Sequence, residues 1–230
     1  GDLFAAIEDI IKLIQNYPGG RRSDWASDRV IDVLNGINAN AQNKNRILKE
    51  RIMGLLAKAD PVRQADWSRN FFSRAEYGDS LKLAELSMTQ MTGKNLSLPL
   101  SIAAQSSVFL GDYKKAKPFF SRLIDEFGGT DLAVESLFRL GLLHLREEKY
   151  PSAVAIFERV LVLPQGKKYE LQSRYWLLRA LQKMNSGRVQ QESQILVDKF
   201  PLSFYGLRIQ AENHQGQLSL GTDSGGTVKV

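Results

Sequence analysis

The residue types that carry most enzyme chemistry are thin in this sequence. Cysteine is absent, which removes disulfides, thiolate metal sites and cysteine nucleophiles. The two histidines, His144 and His214, stand alone, without the carboxylate or second histidine at ligand spacing that zinc needs. No metal or other cofactor is expected, and His144 reads as a packed side chain. Gly128-Gly129 and Gly225-Gly226 belong to no G-x-x-x-x-G-K-[ST] phosphate loop and read as a turn and a tail. Asn95-Leu96-Ser97 fits the glycosylation triplet, a pattern short enough to arise by chance. What does gather is positive charge. Between Lys167 and Gln190, the cations Lys167, Lys168, Arg174, Arg179, Lys183 and Arg188 stand against Glu170 alone. Such a stretch could receive a peptide carboxylate or an anionic polymer. The plainer alternative is a solvated face with Arg179 tied into a structural ion pair.

The elements that would position these residues are helices. Leu3, Ile7, Ile10, Ile11 and Ile14 recur at steps of three and four and stop at Asn16-Tyr17-Pro18-Gly19-Gly20, an apolar face closed by a turn. Similar cycles fill the chain. Breaks are expected near Asn35–Gln42, Asp60-Pro61, Gly78-Asp79, Gly93–Asn95, Gly111-Asp112, Gly128-Gly129, Glu148-Lys149, Gln165-Gly166 and Asn185–Gly187. Segments of about 12–18 residues with short connections predict about 11–12 helices in antiparallel pairs. No stretch reads as a strand, and the fold class is all-α.

A longer period lies over the helical one. Tyr150, Ala153 and Phe157 follow Gly141 at the offsets at which Tyr113, Ala116 and Phe120 follow Ala104. The pattern resembles the tetratricopeptide repeat, whose small residues let two helices cross closely while aromatics fill the gaps between them. GDYKKAKPFFSRLIDEF and EKYPSAVAIFERVLVLP match its second-helix half. Weaker copies run from Phe72 (Leu81, Ala84, Met88) and from Ala180 (Val189, Glu192, Leu196), so the four starts lie 32, 37 and 39 residues apart. The resemblance implies a right-handed α-superhelix. On this reading residues 1–60 form N-terminal helical hairpins and 61–200 the divergent repeats. Residues 201–215 form a terminal capping helix, and 216–230, GQLSLGTDSGGTVKV, a Gly/Ser-rich linker or tail. By analogy with such repeats, first helices line the concave face. That places Glu135, Phe138, Leu142 and Arg146 beside Arg174, Leu177 and Leu181 in a mixed basic and apolar groove.

Near the end of the chain two linked features occur. SRYWLLRAL carries Trp176, Arg179 and Ala180, and FPLSFYGLRIQAEN carries Pro201, Ser203, Tyr205 and Gly206. Together, over Ser173 to Asn213, they resemble the superhelical region of soluble lytic transglycosylases. There a W-x-x-R-A helix precedes a P-x-S/T-x-Y-G-x-x-A segment upstream of a lysozyme-like catalytic domain. Arg208 and Ile209 stand where that family nears its alanine, and Ala211 comes later. Ser203 is expected to cap the last helix, Phe204 and Tyr205 to lend apolar area against the preceding hairpin, and Gly206 to permit close approach. Alternatively, Tyr205 and Arg208 face sugar or a following domain. The resemblance implies a periplasmic location and cleavage of the N-acetylmuramic acid–N-acetylglucosamine bond by a glutamate in a Glu-Ser pair. The two such pairs here, Glu135-Ser136 and Glu192-Ser193, read as helix residues without the family's downstream sugar signature. No catalytic residue is expected in this chain, and a catalytic domain is expected beyond Val230.

Composition is that of an ordinary soluble globular chain. The chain has 230 residues, 43% apolar and 24% charged, and a net charge of +6, so anionic partners are mildly favoured. Lys and Arg are scattered rather than blocked and are not interleaved with aromatics in a nucleic-acid module, so nucleic acid is not expected. No apolar run reaches the roughly 18–20 residues of a membrane span. The chain opens Gly1-Asp2-Leu3-Phe4 without a leader, so any targeting signal is expected to have been removed. Two partners remain: peptidoglycan strands, or a protein or peptide in the groove. The second would make the chain an interaction scaffold of the bacterial envelope with no enzymatic activity.

Overall fold

Asp60 starts one helix of the chain with a side-chain cap. Its Oδ1 accepts hydrogen bonds from the backbone N–H of Val62 (2.9 Å) and Arg63 (3.3 Å), and Pro61 occupies the first helical position, where its missing N–H costs nothing. The computed structural model describes residues 3–17, 25–26, 29–30, 32–33 and 43–213. Among these residues there are eleven α-helices with defined ends and no strand. The break expected at Asn35–Gln42 and the tail 216–230 lie outside the described residues.

The chain divides into two compact units, Gly1–Gly128 and Gly129–Val230. The first contains α1 (Leu3–Asn16), α2 (Asn43–Leu56), α3 (Pro61–Ser73), α4 (Tyr77–Met88), α5 (Ser97–Phe109) and α6 (Tyr113–Glu126). The second contains α7 (Asp131–Arg146), α8 (Tyr150–Val162), α9 (Glu170–Lys183), α10 (Val189–Lys199) and α11 (Phe204–Asn213). Short 3₁₀ turns, Gly93–Leu96 and Pro164–Tyr169, precede α5 and α9. In the first unit α1 packs on α2 and consecutive helices pack from α3 to α6; in the second they pack from α7 to α11. First helices also touch across pairs, α3 with α5, α7 with α9 and α9 with α11.

The reversals between paired helices share one backbone motif. Ala75, Gly111, Glu148 and Asn185, which follow α3, α5, α7 and α9, all have positive φ (64°, 79°, 59° and 48°). At each, the next N–H reaches back five residues: Glu76 to Phe71 O, Asp112 to Ser107 O, Lys149 to His144 O and Ser186 to Leu181 O, at 2.9–3.0 Å. The left-handed residue itself donates to Phe72, Val108, Leu145 or Gln182. This is a Schellman stop, which satisfies carbonyls that the helix end leaves open. The four recur at intervals of 36, 37 and 37 residues.

That register corrects two expectations. The break expected at Gly78-Asp79 comes earlier, at Arg74–Glu76, and α4 begins at Tyr77 with Asp79 in its first turn, where a carboxylate suits the helix dipole. The lengthening of the repeat is a matter of alignment. Counted from the left-handed residue, Ser68 stands where Ala104 and Gly141 stand, and Tyr77 and Ser80 follow it at the offsets of Tyr150 and Ala153. Ser80 Oγ donates to Ser68 O at 2.8 Å and lies 3.0 Å from Ser106 Oγ, so serines serve here as the small residues. Phe72, Leu81, Ala84 and Met88 do meet in one apolar cluster.

Each unit has its own core. In the first, Ile7, Ile11, Ile52, Leu56, Trp67, Phe71 and Leu83 pack together. In the second, Ala153, Phe157, Leu177, Ala180 and Leu181 form the centre, with Phe138 and Leu142 against them. Gly141 explains the close crossing of α7 and α8: a Cβ there would come within 2.8 Å of the Phe157 ring and 3.2 Å of Ile156. Gly166 is equally constrained, since a Cβ would run into the carbonyl oxygen of Val160.

Candidate functional site

The residues expected to line a groove meet several different fates in the second unit. Leu177 and Leu181 are 1% and 2% exposed; they are centre-of-core residues on α9 and offer no surface to a ligand. Phe138 and Leu142 are half-buried against the same cluster, and the Phe138 ring stacks on Tyr169 at 5.3 Å. The physical reason is the 3.6-residue turn: α9 has neighbours on several sides, so its apolar positions go to the core. Arg146 is exposed in the last turn of α7.

The polar members are spoken for. Glu135 accepts from both Nε (2.9 Å) and Nη2 (2.7 Å) of Arg139 one turn away. Arg174 binds Glu170 at 2.9 Å and reaches Glu192 at 3.4 Å. Glu192 is buried and is also approached by Arg188 at 3.8 Å, so this Glu-Ser pair serves an ion-pair cluster. Lys199 adds a 2.8 Å contact to Glu170, and with Arg174 it holds the Glu170 carboxyl below its ordinary value.

The excess of positive charge between Lys167 and Gln190 is answered from other helices. Lys168 meets Asp131 at 2.9 Å, Arg188 meets Glu158 at 2.6 Å, and Arg179 meets Glu212. Lys167 and Lys183 have no ion-pair partner among the described residues. Arg179 is thus tied into an ion pair, one of the two arrangements expected for this stretch.

Arg179 anchors the most elaborate assembly, the seating of α11 on α9 and α10. Ser203 Oγ accepts from the Gly206 N–H at 2.9 Å, which is the expected cap. Gly206 is required because a Cβ would fall inside the carbonyl oxygen of Phe200. Tyr205 stacks on Tyr175, with centroids 4.2 Å apart, and Ile209 is buried with Tyr175, Leu178 and Leu196. Arg179 spans Glu212 with two bonds, 2.8 and 2.6 Å, while its guanidinium lies 4.8 Å from the Tyr175 ring centre. Arg208 adds a 3.2 Å contact to Glu212. Asn213 donates to Ser193 Oγ (3.0 Å) and Gln210 to the Pro201 carbonyl (3.1 Å). The Arg179 bonds hold the Glu212 carboxyl below its ordinary value and raise that of Arg179. Phe204 departs from expectation. It is 71% exposed and contributes little apolar area to the joint.

One cluster escaped sequence reading. Phe72, Tyr77 and Phe109, from the ends of α3, α4 and α5, interlock in the first unit. Tyr77 and Phe109 are stacked (4.5 Å, 9°), and Phe72 stands edge-on to both at 5.4 and 5.6 Å. Phe109 nevertheless remains 57% exposed and Leu110 50%.

Among the described residues no group of histidine and acidic side chains is placed to hold a metal ion, and no helix is long and apolar enough to cross a membrane. No known protein-family model matches the chain, and no curated protein matches it.

Proposed function

We propose that this chain is the non-catalytic superhelical domain of a soluble lytic transglycosylase-like cell-wall protein. On this reading the helix pairs continue as a right-handed, tetratricopeptide-like superhelix in the periplasm. It positions peptidoglycan strands, or a partner, for cleavage of the N-acetylmuramic acid–N-acetylglucosamine bond by a domain beyond the chain end. The seating of α11 carries this reading. Residues that match the family's two motifs do the work at that joint: Ser203 caps, Gly206 allows the turn, Pro201 and Arg179 bond to α11, Tyr205 stacks and Ala180 is fully buried. Two short motifs that serve one helix–helix joint support a shared architecture, and through it a shared role.

The test is incubation of this chain, and separately of the full-length gene product, with purified murein sacculi. Pelleting reports binding, and mass spectrometry reports soluble 1,6-anhydromuropeptides. Binding by both with products only from the longer protein is expected. Absence of products and of pelleting from either overturns the reading and leaves a peptide-binding scaffold as the better account.

A further inference from the structure

We propose that Phe109, backed by Tyr77, is a stacking plate for a pyranose ring of the glycan strand. The inference rests on the murein-binding reading and names a contact point for it in the first unit. Three observations lead there. The first is exposure: Phe109 keeps 57% of its surface in solvent although Tyr77 lies parallel to it at 4.5 Å and Phe72 edge-on at 5.6 Å. The second is rigidity. The three rings come from three helix ends and hold one another in stacked and edge-to-face contacts, so a ligand would lose little side-chain freedom in binding.

The third is size. Phe109 and Leu110, each about half exposed, together present on the order of 200 Å² of apolar surface. A stable protein interface needs roughly 800 Å² on each side, so the patch is too small to dock a protein by itself. It suits a ligand with one compact apolar face and polar edges, which is what the C–H face and hydroxyl rim of a sugar provide.

The experiment titrates the whole chain with the tetramer of N-acetylglucosamine, followed by NMR or calorimetry, with sacculus pelleting in parallel. Wild type and Phe109→Trp are expected to bind the tetramer. Phe109→Ala should lose about three- to tenfold in affinity, the effect of one aromatic contact, with its unfolding midpoint close to wild type. Phe204→Ala, an exposed ring of the second unit, should bind as wild type does. Wild-type affinity in Phe109→Ala, with sacculus binding intact, overturns the plate and leaves the functional reading standing. Failure of the wild type to bind either sacculi or tetramer overturns both.

Discussion

Gly206 and Gly54 ask opposite things of a methyl group. At Gly206 a Cβ meets the backbone oxygen of Phe200, and at Gly54, in α2, it meets nothing within 4 Å. Gly206→Ala is therefore expected to cost about 1–3 kcal/mol through forced backbone movement. The loss would appear as a lower unfolding midpoint or as fast amide exchange confined to α11. Gly54→Ala is expected to stabilise by about 0.5–1 kcal/mol, because alanine loses less conformational freedom in a helix. Equal effects of the two substitutions would show that the close approach at Phe200 has no energetic weight. At this scale the sequence was readable where side-chain chemistry is local. Ser203 stands three residues before Gly206, the spacing of a cap, and the bond is there. Leu177 and Leu181 were unreadable as core because periodicity gives the apolar face of α9 but not which helices cover it.

Among the elements, α11 is held by an uneven set of contacts. Only Gly206 and Ile209 are buried, and its attachment otherwise consists of the Tyr175–Tyr205 stack, the Arg179–Glu212 ion pair that Arg208 joins from within α11, and the bonds of Asn213 to Ser193 and Gln210 to Pro201. The sign of its pH dependence follows from Glu212, whose ordinary value is 4.5 and whose docked value is lower. The contribution is complete above pH 4.5 and is lost as pH falls through the docked value. Amide exchange in α11 should therefore accelerate relative to α9 as pH falls below 4.5, and Arg179→Met should abolish that difference. Exchange that rises equally in both helices over this range would remove Glu212 as the cause. The effect is modest, since Glu212 is 40% exposed and solvent screens such pairs. The helix pairing itself was legible from period and connection length. The break before α4 was not, because Ala75 adopts a conformation that its side chain does not advertise.

For the molecule as a whole, each compact unit carries a separate apolar centre, around Trp67 and Phe71 in one and around Phe157 and Leu177 in the other. A cut between Gly128 and Gly129 is expected to leave two folded pieces whose circular dichroism spectra sum to that of the intact chain. Collapse of either piece to a random-coil spectrum would make its core dependent on the other. Counted from the left-handed residues, two of the four repeat starts expected from sequence shift, from Phe72 to Ser68 and from Ala180 to Leu178. The position that corresponds to Gly141 is Ser68, whose hydroxyl would suggest a surface but is fully buried and donates to the Ala65 carbonyl at 2.7 Å.

The recurring stop at Ala75, Gly111, Glu148 and Asn185 has an evolutionary corollary. Each reversal is fastened by main-chain groups, which every residue except proline supplies in full. Only one of the four uses glycine. Identity at the corner is thus limited by the left-handed backbone, which glycine and asparagine adopt at least cost and β-branched residues resist, and not by any required side-chain contact. Among chains built this way, kinship is better sought in the spacing of reversals than in shared letters.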